Sequence, residues 1–136
     1  MIGPHEERVV VLDTDVFSFI FGSKPEADPY LNDIRGHIAA VTFVTVAELY
    51  SGAYKRNWSA RRIERLEQRL QEYLVLPYDE SVAQQWARIQ TALPGRNYPI
   101  NDAWIAACAL SFGCPLLTNN PADFADIPGL TVITHA

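Results

Sequence analysis

The feature that most restricts this chain is an alternation running along its length: short apolar runs that stop at a polar residue, each followed by apolar residues spaced as on a helix. Val9, Val10, Val11 and Leu12 form the first run and stop at Asp13; apolar throughout rather than alternating, the run suits a strand covered on both faces. Val16, Phe17, Phe19, Ile20 and Phe21 follow as a helix pattern ending at Gly22, and a second helical stretch falls near residues 30–35. Residues 37–43 read as another buried strand and residues 44–54 as a helix running into the basic loop KRNWS. Ser59 can cap the next helix, where Ile63, Leu66, Leu70 and Leu74 recur at helical spacing. Val75 and Leu76 make a short strand, and Asp79 opens a helix with Val82, Trp86, Ile89 and Leu93 on one stripe. After the GRNYP loop, Asn101 can cap the helix DAWIAACAL; residues 114–118 and 130–134 read as strands, with NNPADF a helical turn between them. Strands alternating with helices predict a mainly parallel sheet covered on both sides, because parallel neighbours need crossover connections and these are right-handed. The expected fold class is α/β, a three-layer α/β/α arrangement, and 136 residues suit one domain.

Composition excludes several other classes. With 49% hydrophobic and 20% charged residues, the chain has the makings of an ordinary globular core rather than of a disordered or fibrous protein. Its longest apolar stretches fall far short of the roughly 18 residues needed to span a membrane. The lead MIGPHEER is polar and does not resemble a secretory signal, so a cytoplasmic protein is expected. Cys108 and Cys114 are too few for a disulfide framework or a metal site and read as core fillers.

The net charge is −5, which argues against a surface that grips nucleic acid all over. The cations are nevertheless uneven: six of the eleven, Lys55, Arg56, Arg61, Arg62, Arg65 and Arg69, fall within fifteen residues. Two readings of this strip stand side by side, a solvated helix face with Glu64, Glu67 and Glu72 as ion-pair partners, and a binding patch.

Four carboxylates stand at or near places where a strand run gives way to a helix: Asp13, Glu48, Asp102 and Asp123. Each can be explained singly, since acids favour the first turn of a helix. Thr45 to Glu48 has capping-box spacing, Asn120 with Pro121 and Asp123 has the form of a cap, and Asp102 follows Asn101. In an open parallel sheet, however, strand C-termini and helix N-termini meet along one edge, and ligands bind there at the point where strand order reverses. Acids gathered at about 4 Å repel by about 4 kcal/mol per pair near a protein surface, so they take up protons or bind a cation. Oxygen ligands without His or Cys select a hard ion such as Mg2+ or Mn2+, which acidifies water and neutralises charge on a phosphate. Thr14 and Thr118 can add hydroxyls that orient water or substrate. His5, His37 and His135 are scattered and none is assigned to catalysis; there is no GxSxG and no glycine-rich phosphate loop.

The segments VVVLDTDVFSFI, VTFVTVAELYSGA, INDAWIAACAL and PLLTNNPADFADIPGLTVI together resemble the successive motifs of the PIN domain, particularly the VapC-like toxins of bacterial toxin–antitoxin pairs, over residues 9–133. The resemblance implies an α/β/α fold with a parallel sheet and a metal-dependent endoribonuclease. It places the family's acids at Asp13, Glu48, Asp102 and Asp123, holding one or two Mg2+ or Mn2+ ions, with Thr14 and Thr118 at hydroxyl positions beside the metal. Asn119 and Asn120 flank the fourth acidic position, and Asp15 stands where many relatives have Asn; it either adds a fifth carboxylate or points away. In-line attack by water would leave a 5′-phosphate and a 3′-hydroxyl. Lys55, Arg56, Arg61 and Arg62 gain weight as RNA phosphate contacts, while Tyr50, Trp58 and Tyr98 serve either as base platforms or as packing. The implied partners are RNA and a cognate VapB-like antitoxin, with the toxin itself a homodimer.

Two alternatives remain at this point. The run VVVLDTDVF also fits the DxD motif of haloacid dehalogenase-like phosphatases, with Asp13 as nucleophile and Asp15 as acid/base, although neither Lys24 nor Lys55 lies where that chemistry needs a lysine. The other is a non-catalytic acidic domain that binds RNA or a peptide, its acids serving as caps.

Overall fold

In the computed structural model, which describes residues 8–92 and 94–136, five strands build one sheet. They are β1 (Val9–Leu12), β2 (Ile38–Thr42), β3 (Leu74–Leu76), β4 (Leu116–Leu117) and β5 (Val132–Ile133), in the order β3-β2-β1-β4-β5 with every neighbouring pair parallel. The helices are α1 (Thr14–Phe21), α2 (Asp28–Ile34), α3 (Phe43–Lys55), α4 (Ala60–Leu70), α5 (Glu80–Ala92) and α6 (Ile100–Phe112), with 3-10 turns at Pro25–Ala27 and Pro121–Phe124. His5 and Leu93, both named from the sequence, lie outside the described residues.

The pleat of the central strands explains their unbroken apolar character. Val10, Leu12, Val41 and Leu117 point into one core, shared with Val16, Phe17, Tyr30, Leu49, Leu66 and Leu70 from α1 to α4. Val11, Ala40, Leu116 and Leu76 point into the other, against Val82 and Ile89 of α5 and the run Ala103 to Ala109 of α6. Both faces of the central strands are therefore covered, while Leu74 and Val75 of the edge strand β3 stay exposed, and the arrangement is the expected three-layer α/β/α sandwich. Helix α6 is apolar on nearly every side because it is enclosed, and its alanines let α5 approach closely, with Trp86 stacked on Trp104 at 5.0 Å. Cys108 is buried in this core, as its filler role requires; Cys114 is half-buried beside it.

Some local expectations give way. Leu74 continues the spacing of Leu70 but opens β3 instead: the N–H groups of Glu72 and Tyr73 bond back three residues to Arg69 and Leu70, which closes α4 and turns the chain into the sheet edge. Thr42, not Thr45, caps α3, its hydroxyl accepting from the Thr45 N–H at 3.2 Å, so Thr45 and Glu48 form no capping box. Asn101 does not cap α6 either; the helix starts two residues earlier than expected, at Ile100, after Pro99. Ser59 caps α4 through the Arg62 N–H, and Asp79 accepts from the Val82 N–H at the start of α5. Among the described residues no helix is long and apolar enough to cross a membrane.

Candidate active site

The chain builds β1, β2 and β3 toward one side of the sheet and β4 and β5 toward the other, so strand order reverses between β1 and β4. At the C-terminal ends of those two strands stand Asp13 and Thr118. Both oxygens of Asp13 are held: Oδ1 accepts from the Val16 N–H at 2.8 Å as the cap of α1, and Oδ2 accepts from Thr118 Oγ1 at 2.5 Å. Thr118 thus steadies Asp13. Only 5% of Asp13 is exposed, and this desolvation pushes its carboxyl up to about 6; the Thr118 and Val16 hydrogen bonds oppose the shift, while Asp15 and Glu48 add to it.

Three other segments bring their acids to the same place. Glu48 projects from α3, its Oε1 accepting from Thr14 Oγ1 at 2.5 Å and its Oε2 from Asn101 Nδ2 at 3.0 Å. Asp102 lies in the first turn of α6, which the chain enters from the loop after α5, and lines the same cavity as Asp13. Burial raises its carboxyl to about 7, followed by the charges of Asp123, Asp13 and Glu48 and by a hydrogen bond with Asp123 that favours the protonated form. Asp123 comes from the turn Pro121–Phe124. Asp13, Glu48, Asp102 and Asp123 line one cavity of about 200 Å3 together with Thr14, Asp15, Asn120 and Phe124.

The single-residue explanations therefore divide. Asp13 is a helix cap and a member of the cluster at once, and Asp102 likewise combines a first-turn position with a place in the cavity. Asn120 occupies the cap position of its turn without making the cap hydrogen bond; its Nδ2 donates instead to Asp15 Oδ2 at 2.7 Å. Asp15 consequently faces the cavity as a fifth carboxylate. Sequence reasoning missed Asn101 as a partner of Glu48, and Thr45, whose hydroxyl lies 3.0 Å from that of Thr14. The position of Asn101 beside Asp102 in one helical turn was the available signal.

The donors around this cavity are carboxylate, hydroxyl and amide oxygens, with no His or Cys, which fits a hard divalent cation. Among the described residues no three His, Cys, Asp or Glu side chains form a ready-made metal site; Asp13, Glu48 and Asp15 each have a donor of their own, and Asp102 and Asp123 share a proton-favouring contact. Raised carboxyls at Asp13 and Asp102 mark a cluster short of positive charge.

The basic strip reaches the cavity in part. Lys55 and Arg56 line a groove of about 460 Å3 with Glu48 and Asn101, and Arg56 and Arg62 line another of about 390 Å3 with Thr14, Asp15 and Glu48. Arg61 lies on α4 and lines neither. The expected lattice of ion pairs is absent among the described residues of the strip except for Arg69 with Glu72 at 3.3 Å. Tyr98 is buried and donates to the Ala125 carbonyl, Tyr50 packs on Tyr54, and Trp58 stacks on Phe21, so packing accounts for all three. Neither His37 nor His135 lines the acidic cavity, His135 meeting Asp33 instead at 2.6 Å, and neither lysine lines it, which leaves the phosphatase alternative without its cation there.

Beneath the site, the buried Tyr30 hydroxyl lies 2.8 Å from Asn119 Oδ1 and 3.1 Å from the Thr118 carbonyl, and accepts from the His135 N–H at 3.0 Å. Tyr30→Phe leaves the buried Thr118 carbonyl without its donor and is expected to lower stability by about 1–3 kcal/mol, read as a lower urea midpoint at unchanged slope.

A parallel sheet in this order, with acids gathered at its switch point, belongs to the PIN domain class: the PIN domain family model matches residues 10–130, and the chain is a member of that family. It is 39% identical over 124 residues to Ribonuclease VapC5 of Mycobacterium tuberculosis, covering 88% of this chain and 87% of that protein. It is 33% identical over 131 residues to Ribonuclease VapC4 of the same organism, covering 93% and 97%. Among solved structures it resembles VapBC-5 of M. tuberculosis, a member of the VapBC family of toxin–antitoxin systems, with TM-score 0.63, 33% identity, and 93% of this chain and 96% of that chain covered.

Proposed function

We propose that this chain is the toxin of a VapBC-type toxin–antitoxin pair, an endoribonuclease that depends on Mg2+ or Mn2+ and is restrained by a VapB-like antitoxin. The observation that carries the catalytic part is the convergence of Asp13, Glu48, Asp102 and Asp123, from four separate segments, on one cavity at the switch point. The similarity to two ribonucleases and to a toxin–antitoxin complex supports the substrate and the partner.

Asp13, Glu48, Asp102 and Asp123 would hold the ion, which when bound supplies charge neutralisation at the phosphate and acidifies water. Asp13 is fixed for this by Thr118 and the Val16 N–H, and Glu48 by Thr14 and Asn101. Asp102, in the first turn of α6 and lining the same cavity as Asp13 and Asp123, would complete that set. The water oxygen bonds to phosphorus, the bond from phosphorus to the 3′ oxygen breaks, and a proton passes to that oxygen, leaving a 5′-phosphate and a 3′-hydroxyl.

The test is expression of the chain in a cell followed by mapping of RNA 5′ ends. New ends that ligate directly, and so carry 5′-phosphate, are expected for the wild type. Purified protein should lose cleavage in EDTA and recover it with Mg2+ or Mn2+. Cleavage that persists undiminished in EDTA, or products with 5′-hydroxyl ends, would sink this chemistry.

A further inference from the structure

We propose that Tyr30 and His135 are positioning residues of the acidic site: by holding residues 118–120 they fix Asp13 for the ion, a proposal that rests on the metal-dependent ribonuclease reading above. The observation behind it is an interruption in the sheet. The N–H groups of Leu116 and Thr118 donate to the Thr131 and Ile133 carbonyls at 2.9 and 3.1 Å. An evenly spaced parallel ladder would next have the His135 N–H donate to the Thr118 carbonyl. The Tyr30 hydroxyl stands in that rung instead. It accepts from the His135 N–H at 3.0 Å and lies 3.1 Å from the Thr118 carbonyl and 2.8 Å from Asn119 Oδ1, toward which its single proton is directed. A direct rung would tie β4 only to the chain after β5. The inserted hydroxyl makes the place of Thr118 depend on α2 as well.

The segment so held is the one that grips the acids. Thr118 Oγ1 donates to Asp13 Oδ2 and accepts from the Asn120 N–H at 3.0 Å, while Asn120 Nδ2 donates to Asp15 Oδ2 at 2.7 Å. A threonine hydroxyl moves with its backbone, so releasing the Thr118 carbonyl loosens the bond to Asp13. Tyr30 is wholly buried and does not line the acidic cavity; it acts on the acids through Thr118 and Asn119. Its own place is fixed from the far side. The His135 ring stands edge-on to it, with centroids 5.0 Å apart, and His135 Nε2 lies 2.6 Å from Asp33 Oδ2, one helical turn on from Tyr30 in α2. Helix α2 thus holds the chain beyond β5 at two points, through the His135 N–H and through its ring.

The test uses the full chain and two readouts: steady-state RNA cleavage against Mg2+ concentration, and the rise in melting temperature that Mg2+ gives. Removing a direct partner of a metal ligand costs about 10–100-fold in metal affinity or activity, so a group one step further out is expected to cost about 3–10-fold. Tyr30→Phe should therefore raise the Mg2+ concentration for half-maximal rate about 3–10-fold, with KM for RNA at saturating Mg2+ within about twofold of wild type. It should also shrink the Mg2+-induced rise in melting temperature. His135→Pro, which lacks the N–H, should move both readouts the same way, and His135→Ala, which keeps the N–H but gives up Asp33, should move them less. Val82→Ala, in the core on the other face of the sheet, lowers stability without touching these bonds and should keep the wild-type Mg2+ requirement. Half-saturation does not depend on the fraction of a sample that is folded, so a merely structural tyrosine would not move it. Should Tyr30→Phe fail to fold, His135→Pro, on exposed chain, decides alone. A wild-type Mg2+ requirement in either Tyr30→Phe or His135→Pro, or an equal rise in Val82→Ala, overturns the proposal and leaves the nuclease standing. A wild-type chain that does not cut RNA, or cuts it without Mg2+, brings down the ribonuclease reading and the proposal together.

Discussion

Asp13→Asn is expected to cut RNA hydrolysis by on the order of 10³-fold or more while the fold survives. Asparagine caps a helix about as well as aspartate, so the Val16 N–H keeps its acceptor, and the amide can turn its oxygen toward the Thr118 hydroxyl. What disappears is a negative charge at the junction of β1 and α1, where the proposed ion needs it. Asp102→Asn should give a loss of the same order by the same logic, since Asp102 faces Asp13 and Asp123. Steady-state cleavage, circular dichroism and partner binding, measured together, separate the outcomes. If Asp13→Asn folds, binds its partner and still cleaves within tenfold of wild type, Asp13 is a helix cap and the acidic cavity is not the catalytic centre.

The metal-free chain should be less stable at pH 7.5 than near pH 5, opposite to the usual behaviour of paired carboxylates. Folding raises Asp13 from 3.8 to about 6 and Asp102 from 3.8 to about 7, so in this range the native state binds more protons than the unfolded chain. Stability from these groups is fully present below about pH 4 and is lost as pH climbs through their folded values. For Asp13, nearly enclosed, the shift corresponds to about 3 kcal/mol. Excess Mg2+ should reverse the trend, because an ion that binds only the native state adds about 2.7 kcal/mol at a hundred times its dissociation constant, and the deprotonated cluster binds it best. Thermal unfolding in EDTA and in Mg2+ across pH 5 to 8 reads both effects. A flat EDTA profile with no stabilisation by Mg2+ at pH 7.5 would show that the acids neither crowd one another nor hold an ion.

The strands and their parallel pairing were legible because Val9 to Leu12 and the runs like it lack any polar alternation, and only a sheet covered on both faces accepts such strands. The acids were legible as a set because three follow strand runs and the fourth, Asp102, opens a helix after the GRNYP loop. The side-chain partners were hidden, because spacing cannot say which donor a carboxylate will meet across the sheet. Asn101 and Asn120 both have the form of helix caps, yet each reaches out to an acid brought near by the fold, Glu48 in one case and Asp15 in the other. Lys24 carried no local signal at all: it follows Gly22 in a short loop, and only the placement of α1 beside α3 and α4 brings it into the groove with Arg56 and Arg62. Leu74 misled for the opposite reason, since helical spacing persists past the residue where the backbone turns.

The Thr118 hydroxyl that steadies Asp13 comes from 105 positions further along the chain, and Asp102 and Asp123 are similarly late. A nascent polypeptide emerging from a ribosome exposes Asp13 and Glu48 long before their counterparts exist. The acidic cavity therefore cannot assemble during most of translation, since residues 102–123 must first emerge and dock beside β1.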